Sequence, residues 1–241
     1  MNHTDIEWVR NPDGSQGYSI NPVKGLCPMA CPYCYARRMY KRFKWNPELR
    51  FSSKALDQLV EIKKPSRIFI GSTMELFGDH IKYWWLKTIF DMCLLRPQHT
   101  FIFLTKQPQN LIKWSPFPEN CWVGVSITDG DDDNIPLAYF KKVEAKVKFI
   151  SFEPLLHWWD VATSDMVAKS FKVAGISWVI IGQQTPVKKA TMPKMAWIQD
   201  ILVAASNAGN LPVFMKNNLQ PLLVGQWAGW KLRQELPGAD N

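Results

Sequence analysis

Seven short apolar runs punctuate the chain: GYSINPVKG (17–25), RIFIGS (67–72), TFIFLT (100–105), CWVGVSI (121–127), KVKFISF (146–152), SWVIIGQ (177–183) and LPVFMK (211–216). Several are continuously apolar rather than alternating, which is the pattern of strands buried on both faces of a parallel sheet. Between them lie segments suited to helices: YARRMYKRF (35–43), SSKALDQLVEIKK (52–64), IKYWWLKTIFDMCLL (81–95), IPLAYFKKVEA (135–145) and PKMAWIQDILVAASNAG (193–209). In the third, Trp84, Trp85, Ile89, Phe90 and Met92 fall close to helical spacing, and the last ends in Asn207-Ala208-Gly209, a helix stop signal. Strand–helix alternation of this kind predicts βαβ units and an α/β fold with a parallel sheet. The number of strands does not separate a flat, Rossmann-like sheet from a barrel.

The 241 residues are enough for one large domain, and a hydrophobic fraction of 46% excludes global disorder. A net charge of +8 favours polyanionic partners, although a merely soluble basic surface accounts for it equally well, because the charges are spread along the chain. The opening residues MNHTDIEWVRNPDG contain no apolar stretch of a secretory signal, and no apolar run is long enough for a membrane span. Five cysteines, three of them clustered and Cys93 and Cys121 far away, do not form a disulfide framework, so the expected setting is a reducing cytoplasm with no membrane partner. The acidic run DGDDD (129–133) reads as a solvated turn.

The chemistry concentrates in GLCPMACPYCYARR (25–38), where Cys27, Cys31 and Cys34 have the spacing C-x3-C-x2-C. Three thiolates this close can wrap one metal centre. Zinc would require a fourth Cys or His ligand, and none follows nearby. A [4Fe–4S] cluster is normally held by four cysteines, so three local ones would leave one iron open to a ligand that is not protein. Inert thiols are the third alternative.

This spacing, with Tyr33 just before the last cysteine, resembles the signature of the radical SAM superfamily. A closer resemblance covers most of the chain. IEW near the start, INPVKGLCPMACPYCYA, IFIGSTMELFGD, FIFLTKQP, WVGVSI, ISFEPLL, WVIIGQQTP and PVFMKNN are similar, in order and spacing, to the blocks of a small phage-type radical SAM family catalogued as a domain of unknown function. That resemblance implies a partial TIM-type (β/α)6 barrel over residues 1–241 as a single domain, with a cluster loop at 25–36 and a C-terminal extension from about 217 to 241. It also implies a [4Fe–4S] cluster on Cys27, Cys31 and Cys34, S-adenosylmethionine on the open iron, and an external electron donor such as flavodoxin or ferredoxin. One block departs: where the family has a GGESG-like sequence, this chain has GQQTP, with Gln183 and Gln184 in place of a glycine and a glutamate.

Functional groups in parallel barrels gather at the C-terminal strand ends. The family's methionine-binding glycine-rich element maps to Gly71, Ser72 and Thr73, whose alternative role is a turn and helix cap; Glu75 and Asp79 add carboxylates nearby. Thr105 and Lys106 end the third strand, where the lysine is placed to bind a carboxylate or phosphate. Ser126, with Thr128 beside it, matches a position that offers a polar group to the cofactor. Ser151 and Glu153 end the fifth strand; Glu153 is the leading non-cysteine candidate, as a ligand of the cofactor ribose or a substrate amine or as a general base, against a salt bridge across the barrel. Gln183, Gln184 and Thr185 offer groups that can pair with a nucleobase edge, and Met215, Lys216 and Asn217 follow at the last strand. ARRMYKRFKWNPELR (36–50) interleaves cations with aromatics, a pattern that suits stacking on bases and tracking phosphates or an ordinary amphipathic helix. Trp84-Trp85 and Trp158-Trp159 are candidates for core or for an exposed substrate lip. The expected activity is hydrogen abstraction by a 5′-deoxyadenosyl radical from a modified nucleotide or nucleobase in DNA or RNA. The rivals are a free amino acid or peptide substrate and a non-catalytic Fe–S or zinc protein that binds nucleic acid.

Overall fold

The computed structural model describes residues 3–129, 134–158 and 163–238. Most of the acidic run (130–133), Trp159 and the last three residues lie outside the described residues. The elements in chain order are β1 (Tyr18–Ile20), β2 (Val23–Lys24), α1 (Tyr35–Phe43), β3 (Arg50–Phe51), α2 (Ser53–Asp57), β4 (Arg67–Ile70), α3 (Tyr83–Leu94), β5 (Thr100–Thr105), β6 (Cys121–Ser126), α4 (Asn134–Phe140), β7 (Val147–Phe152), α5 (Ser164–Ala174), β8 (Trp178–Ile181), α6 (Met195–Asn207) and β9 (Val213–Met215).

Seven strands form one parallel sheet in the order β1-β4-β5-β6-β7-β8-β9, curled into a half-barrel. Each crossover steps to the next strand without reversal, whereas a doubly wound sheet reverses its order at a switch point. All strand C-termini therefore lie at one rim. Six crossovers join the seven strands; five carry an α-helix, and the one between β5 and β6 carries only a 3-10 segment, Pro108–Trp114.

Side chains alternate across each strand. One set, including Ile68, Phe101, Val123, Ile150 and Val179, joins the helices in the main core. The other set faces the concave side, where Phe69, Ile102, Trp122, Phe149, Trp178 and Phe214 pack around Trp8 from the N-terminal segment. This aromatic floor closes the N-terminal end of the half-barrel. Arg67 lies in it, with its guanidinium 4.6 Å from the Trp122 ring and donating to the Arg10 and Pro237 carbonyls at 3.0 Å each. Burial pushes its pKa down to about 10.

Both sheet edges are covered, which blocks edge-to-edge pairing. Thr4 N–H donates to the Gly17 carbonyl beside β1, and residues 233–235 bond to Val213 and Met215 of β9. A separate antiparallel ribbon, β2 with β3, pairs Val23 with Phe51 and Lys24 with Arg50, so it ties together the two ends of the cysteine loop and α1. The first predicted strand is thus two strands, because the chain leaves the sheet after Ile20 to enter this ribbon.

Helix α1 occupies the residues expected. α3 buries Trp85, Leu86, Ile89, Phe90 and Cys93, and Trp84 lies half exposed beside Phe51, so its buried stripe is shifted from the Trp84/Met92 face read from spacing. α5 was not anticipated. Its apolar set Val167, Ala168, Phe171 and Ala174 is sparse, yet both caps are legible: Thr163 Oγ1 accepts from Met166 N–H, and Gly175 takes the left-handed conformation at φ 68°.

Candidate cofactor and active site

The loop from Gly25 to Cys34 projects at the C-terminal rim and is pinned at several points. Gly25 sits at φ 116°, and a Cβ there would lie 2.5 Å from the Glu48 carbonyl oxygen, so only glycine fits. Its N–H donates to Tyr40 Oη at 2.8 Å, and Leu26 N–H donates to the Pro47 carbonyl. Arg37 donates to the Cys27 carbonyl at 2.8 Å. Cys34 caps α1, its Sγ accepting from Arg37 N–H at 3.5 Å, and a helix N-terminus favours a thiolate. Cys27, Cys31 and Cys34 are half-buried free thiols lining one pocket with Met29, Ala30 and Thr73, whereas Cys93 and Cys121 are buried in the core. Burial pushes the Cys27 thiol up, opposed by the backbone N–H groups of Glu75 and Met29. Among the described residues no three His, Cys, Asp or Glu side chains are grouped to hold a single metal ion.

The loop after β4 forms the facing wall. Gly71 has φ 83°, and a Cβ there would strike Leu76 at 2.5 Å. Asn21, at the end of β1, organises the two residues that follow: its Oδ1 accepts from Ser72 Oγ, Thr73 N–H and Thr73 Oγ1 at 3.0–3.2 Å. Tyr35 Oη donates to the Ser72 carbonyl at 2.7 Å, and burial raises its pKa, with Cys34 and Glu153 close enough to add to the effect. Reading the C-terminal end of β1 as the other strands were read would have found Asn21; Tyr35 had no signal beyond its place next to Cys34.

Glu75 is buried and fully engaged. Its Oε1 accepts from Thr105 Oγ1 at 2.6 Å and Phe77 N–H at 3.0 Å, and its Oε2 accepts from Lys106 N–H at 2.7 Å. It is a brace between two rim loops.

Lys106 lies 5.8 Å from the Tyr33 ring, toward the cysteine loop. Burial lowers its pKa, opposed by the nearby Cys31, Glu75, Glu153 and Cys34. Burial also pushes the Tyr33 phenol to about 12, against a hydrogen bond with Thr128. Across the mouth Glu153 and Lys216 form a half-buried ion pair, packed on Gly182. Ser126 and Ser151 are register partners on neighbouring strands, and Ser151 Oγ is fully buried with no partner among the described residues.

The two glutamines diverge in role. Gln183 is drawn into the chain: its side-chain amide donates to the Asn218 carbonyl, Asn218 Oδ1 accepts its N–H, and its own Oε1 is buried without a partner among the described residues. Gln184 is buried next to it at the same rim. The basic stretch 36–50 is only partly free, because Arg37 holds the cysteine loop and Arg38 donates to the Thr185 carbonyl across the rim. Trp158 is buried core. Thus Cys27, Cys31, Cys34, Tyr33, Gly71, Ser72, Thr73, Ser126, Glu153, Gln184 and Lys216 belong to one rim, with Ser72 and Thr73 already bonded within the fold.

No helix among the described residues is long and apolar enough to cross a membrane. No curated protein matches the sequence. The fold is similar to that of spore photoproduct lyase. One solved structure, a double mutant with bound AdoMet and dinucleoside spore photoproduct, aligns with a TM-score of 0.51 at 14% identity over 78% of this chain and 60% of that one. A single-site mutant gives 0.51 at 14% identity over 86% and 64%. The chain thus spans less than two thirds of the length of those proteins. A family model matches residues 3–234, nearly the whole half-barrel with its cysteine loop, and the chain belongs to that family, described as a protein of unknown function (DUF5131).

Proposed function

We propose that the chain is a radical SAM enzyme acting on a modified nucleotide or nucleobase, with a [4Fe–4S] cluster on Cys27, Cys31 and Cys34. The observation that carries this reading is the placement of three free thiols around one pocket at the C-terminal rim of a parallel half-barrel. Zinc needs sulfurs converging on one ion at about 2.3 Å each. A cubane takes each thiolate on a different iron, and three free thiols lining one pocket whose lining, among the described residues, includes no fourth Cys or His suit that arrangement. When bound, the cluster and S-adenosylmethionine supply a 5′-deoxyadenosyl radical that abstracts hydrogen from the substrate.

The chain's own groups then have definable tasks. The Gly71–Thr73 loop, held by Asn21, presents backbone to the cofactor's amino group. Lys106 supplies a positive charge beside the thiols for a carboxylate, and Ser126 adds a hydroxyl at the end of β6. Glu153, held by Lys216, orients a ribose hydroxyl or a substrate donor. Gln184 offers an amide to a base edge. The basic surplus and the fold likeness to a lyase solved with a dinucleoside support the nucleotide class. An external low-potential carrier supplies the electron.

Anaerobic reconstitution tests the reading. The parent chain should take up iron and sulfide, absorb near 400 nm and form 5′-deoxyadenosine from S-adenosylmethionine. Cys27→Ala, Cys31→Ala and Cys34→Ala should each lose the iron, and Cys93→Ala and Cys121→Ala should keep it. Equal loss in Cys93→Ala and Cys31→Ala, or stoichiometric zinc without sulfide, overturns it.

A further inference from the structure

We propose that the outer groove beside the cysteine loop is the docking surface of an acidic one-electron carrier protein. The inference rests on the reading that the thiols hold a redox cluster. Two adjoining openings reach the thiols. Thr73, Tyr33 and Lys106 approach from the barrel mouth, where substrate must lie. A second, larger groove of about 460 Å³ opens onto Cys31 and Cys34 between Arg38, Lys41, Trp45 and Pro47. Substrate in the mouth has no use for that second opening, whereas an electron has to arrive from outside.

The charge of the groove selects the partner. From Tyr35 to Pro47 the chain carries Arg37, Arg38, Lys41, Arg42 and Lys44 and no carboxylate. Arg37 and Arg38 donate to carbonyls, so their charges are uncompensated, and Lys41, Arg42 and Lys44 are exposed with no ion pair among the described residues. The patch is therefore complementary to an acidic surface, and such complementarity acts mainly on the association rate. Beside the cations, Phe43 and Trp45 are 51% and 44% exposed and stack on each other at 5.4 Å, with Tyr40 edge-on to Trp45 at 5.3 Å. A rigid exposed tryptophan next to cations is the composition of an interface anchor. Cations and aromatics also suit nucleic acid, but the groove is lined by Cys31 and Cys34 themselves, so its occupant lies directly against the thiols, which electron transfer needs and strand binding does not. The exchange balances without atom transfer: the carrier's reduced flavin or Fe–S centre loses one electron and the cluster gains it.

The test uses the reconstituted protein, Lys41→Glu/Arg42→Glu and, separately, Trp45→Ala, each checked for fold by circular dichroism and for its cluster by iron, sulfide and 400 nm absorbance. Flavodoxin is the acidic probe and photoreduced 5-deazariboflavin the small uncharged one. Stopped-flow bleaching at 400 nm gives the reduction rates. Fluorescence anisotropy gives the affinity for flavodoxin and for a labelled 20-nucleotide DNA. The parent's rate with flavodoxin should fall with salt. The charge-reversed variant should be at least tenfold slower at low salt, with a flattened salt dependence and an unchanged rate with deazariboflavin. Trp45→Ala should weaken flavodoxin binding at every salt and keep the slope, which preserves the test if the double variant misfolds. Equal flavodoxin rates in parent and variants overturn the inference. So does loss of DNA binding with the flavodoxin rate retained, which assigns the groove to nucleic acid. A parent that takes up no iron and sulfide instead refutes the reading of the site, and the inference falls with it.

Discussion

Replacing Glu75 by Gln preserves the volume of the side chain but leaves one acceptor oxygen where the fold uses two. With the amide oxygen in the Oε1 position, its NH2 group faces Lys106 N–H, which now bonds Oε2 at 2.7 Å. With the amide turned over, the Thr105 hydroxyl can rotate and accept, but the NH2 group then faces Phe77 N–H, now 3.0 Å from Oε1. Either orientation sets one largely buried backbone donor against another donor. An unmet buried donor costs about 1–3 kcal/mol, and turning the remaining charge-assisted bonds into neutral ones costs roughly 1 kcal/mol more. The expected destabilisation is therefore about 2–4 kcal/mol, which for a chain of this size lowers Tm by roughly 4–16 °C. Urea unfolding of the metal-free chain followed by circular dichroism measures it. The control is Asp79→Asn, an exposed carboxylate that accepts from Asn110 at 3.3 Å, expected within about 0.5 kcal/mol of the parent. Because Glu75 joins the Cys27 side of the site to the Lys106 loop, the variant should also release iron to a chelator faster than the control. Stability within about 0.5 kcal/mol of the parent would show that the network is not the brace described.

Three other perturbations probe separate parts of the fold. Glu153→Gln leaves the Lys216 ammonium, its side chain 14% exposed, without a counter-charge. It should keep the Fe–S spectrum and slow 5′-deoxyadenosine formation about ten- to a hundred-fold, the equivalent of a lost charge-assisted bond of roughly 1.5–3 kcal/mol; parent rates would reduce the pair to scaffolding. Gly124→Ala places a methyl 2.3 Å from the Phe149 ring and should cost about 1–3 kcal/mol by overpacking, read as a lower urea midpoint, and an unchanged midpoint contradicts the packing. The Arg233 guanidinium, and after it the Val213 N–H, holds the Glu235 carboxyl below its ordinary value of 4.5, against the opposing effect of burial. That stabilisation is complete above pH 4.5 and is lost as pH falls through the lower folded value. The strap at 233–235 should therefore become more open to pepsin on acidification, and more steeply in the parent than in Glu235→Gln; identical acid profiles would remove Glu235 as the cause.

The features legible in the chain are those written in local patterns. Seven apolar runs marked the seven sheet strands, α1 has the boundaries that its composition suggested, and the spacing of Cys27, Cys31 and Cys34 singled out three thiols that line one pocket. The rule that polar groups at parallel strand ends share a rim places Glu153 and Lys216 together, and the two are in contact across 63 residues of chain. Other features depended on groups brought together from distant parts of the sequence. Half-barrel against flat sheet is a matter of strand order, which no single strand encodes. The aromatic floor needs Trp8 from the N-terminal segment against Trp122 and Trp178, and Arg67 needs the Pro237 carbonyl 170 residues away. Asn21 became a site residue only because β1 and β4 pair in parallel, which brings its carboxamide to Ser72 and Thr73. Arg37 and Arg38 belong to a stretch that by sequence suits either a surface for phosphates or an ordinary amphipathic helix, and only the fold supplies their carbonyl partners at Cys27 and Thr185. Hydrophobic period is set by the few residues of one turn or pleat, whereas which groups end up facing one another is set by how separate elements pack.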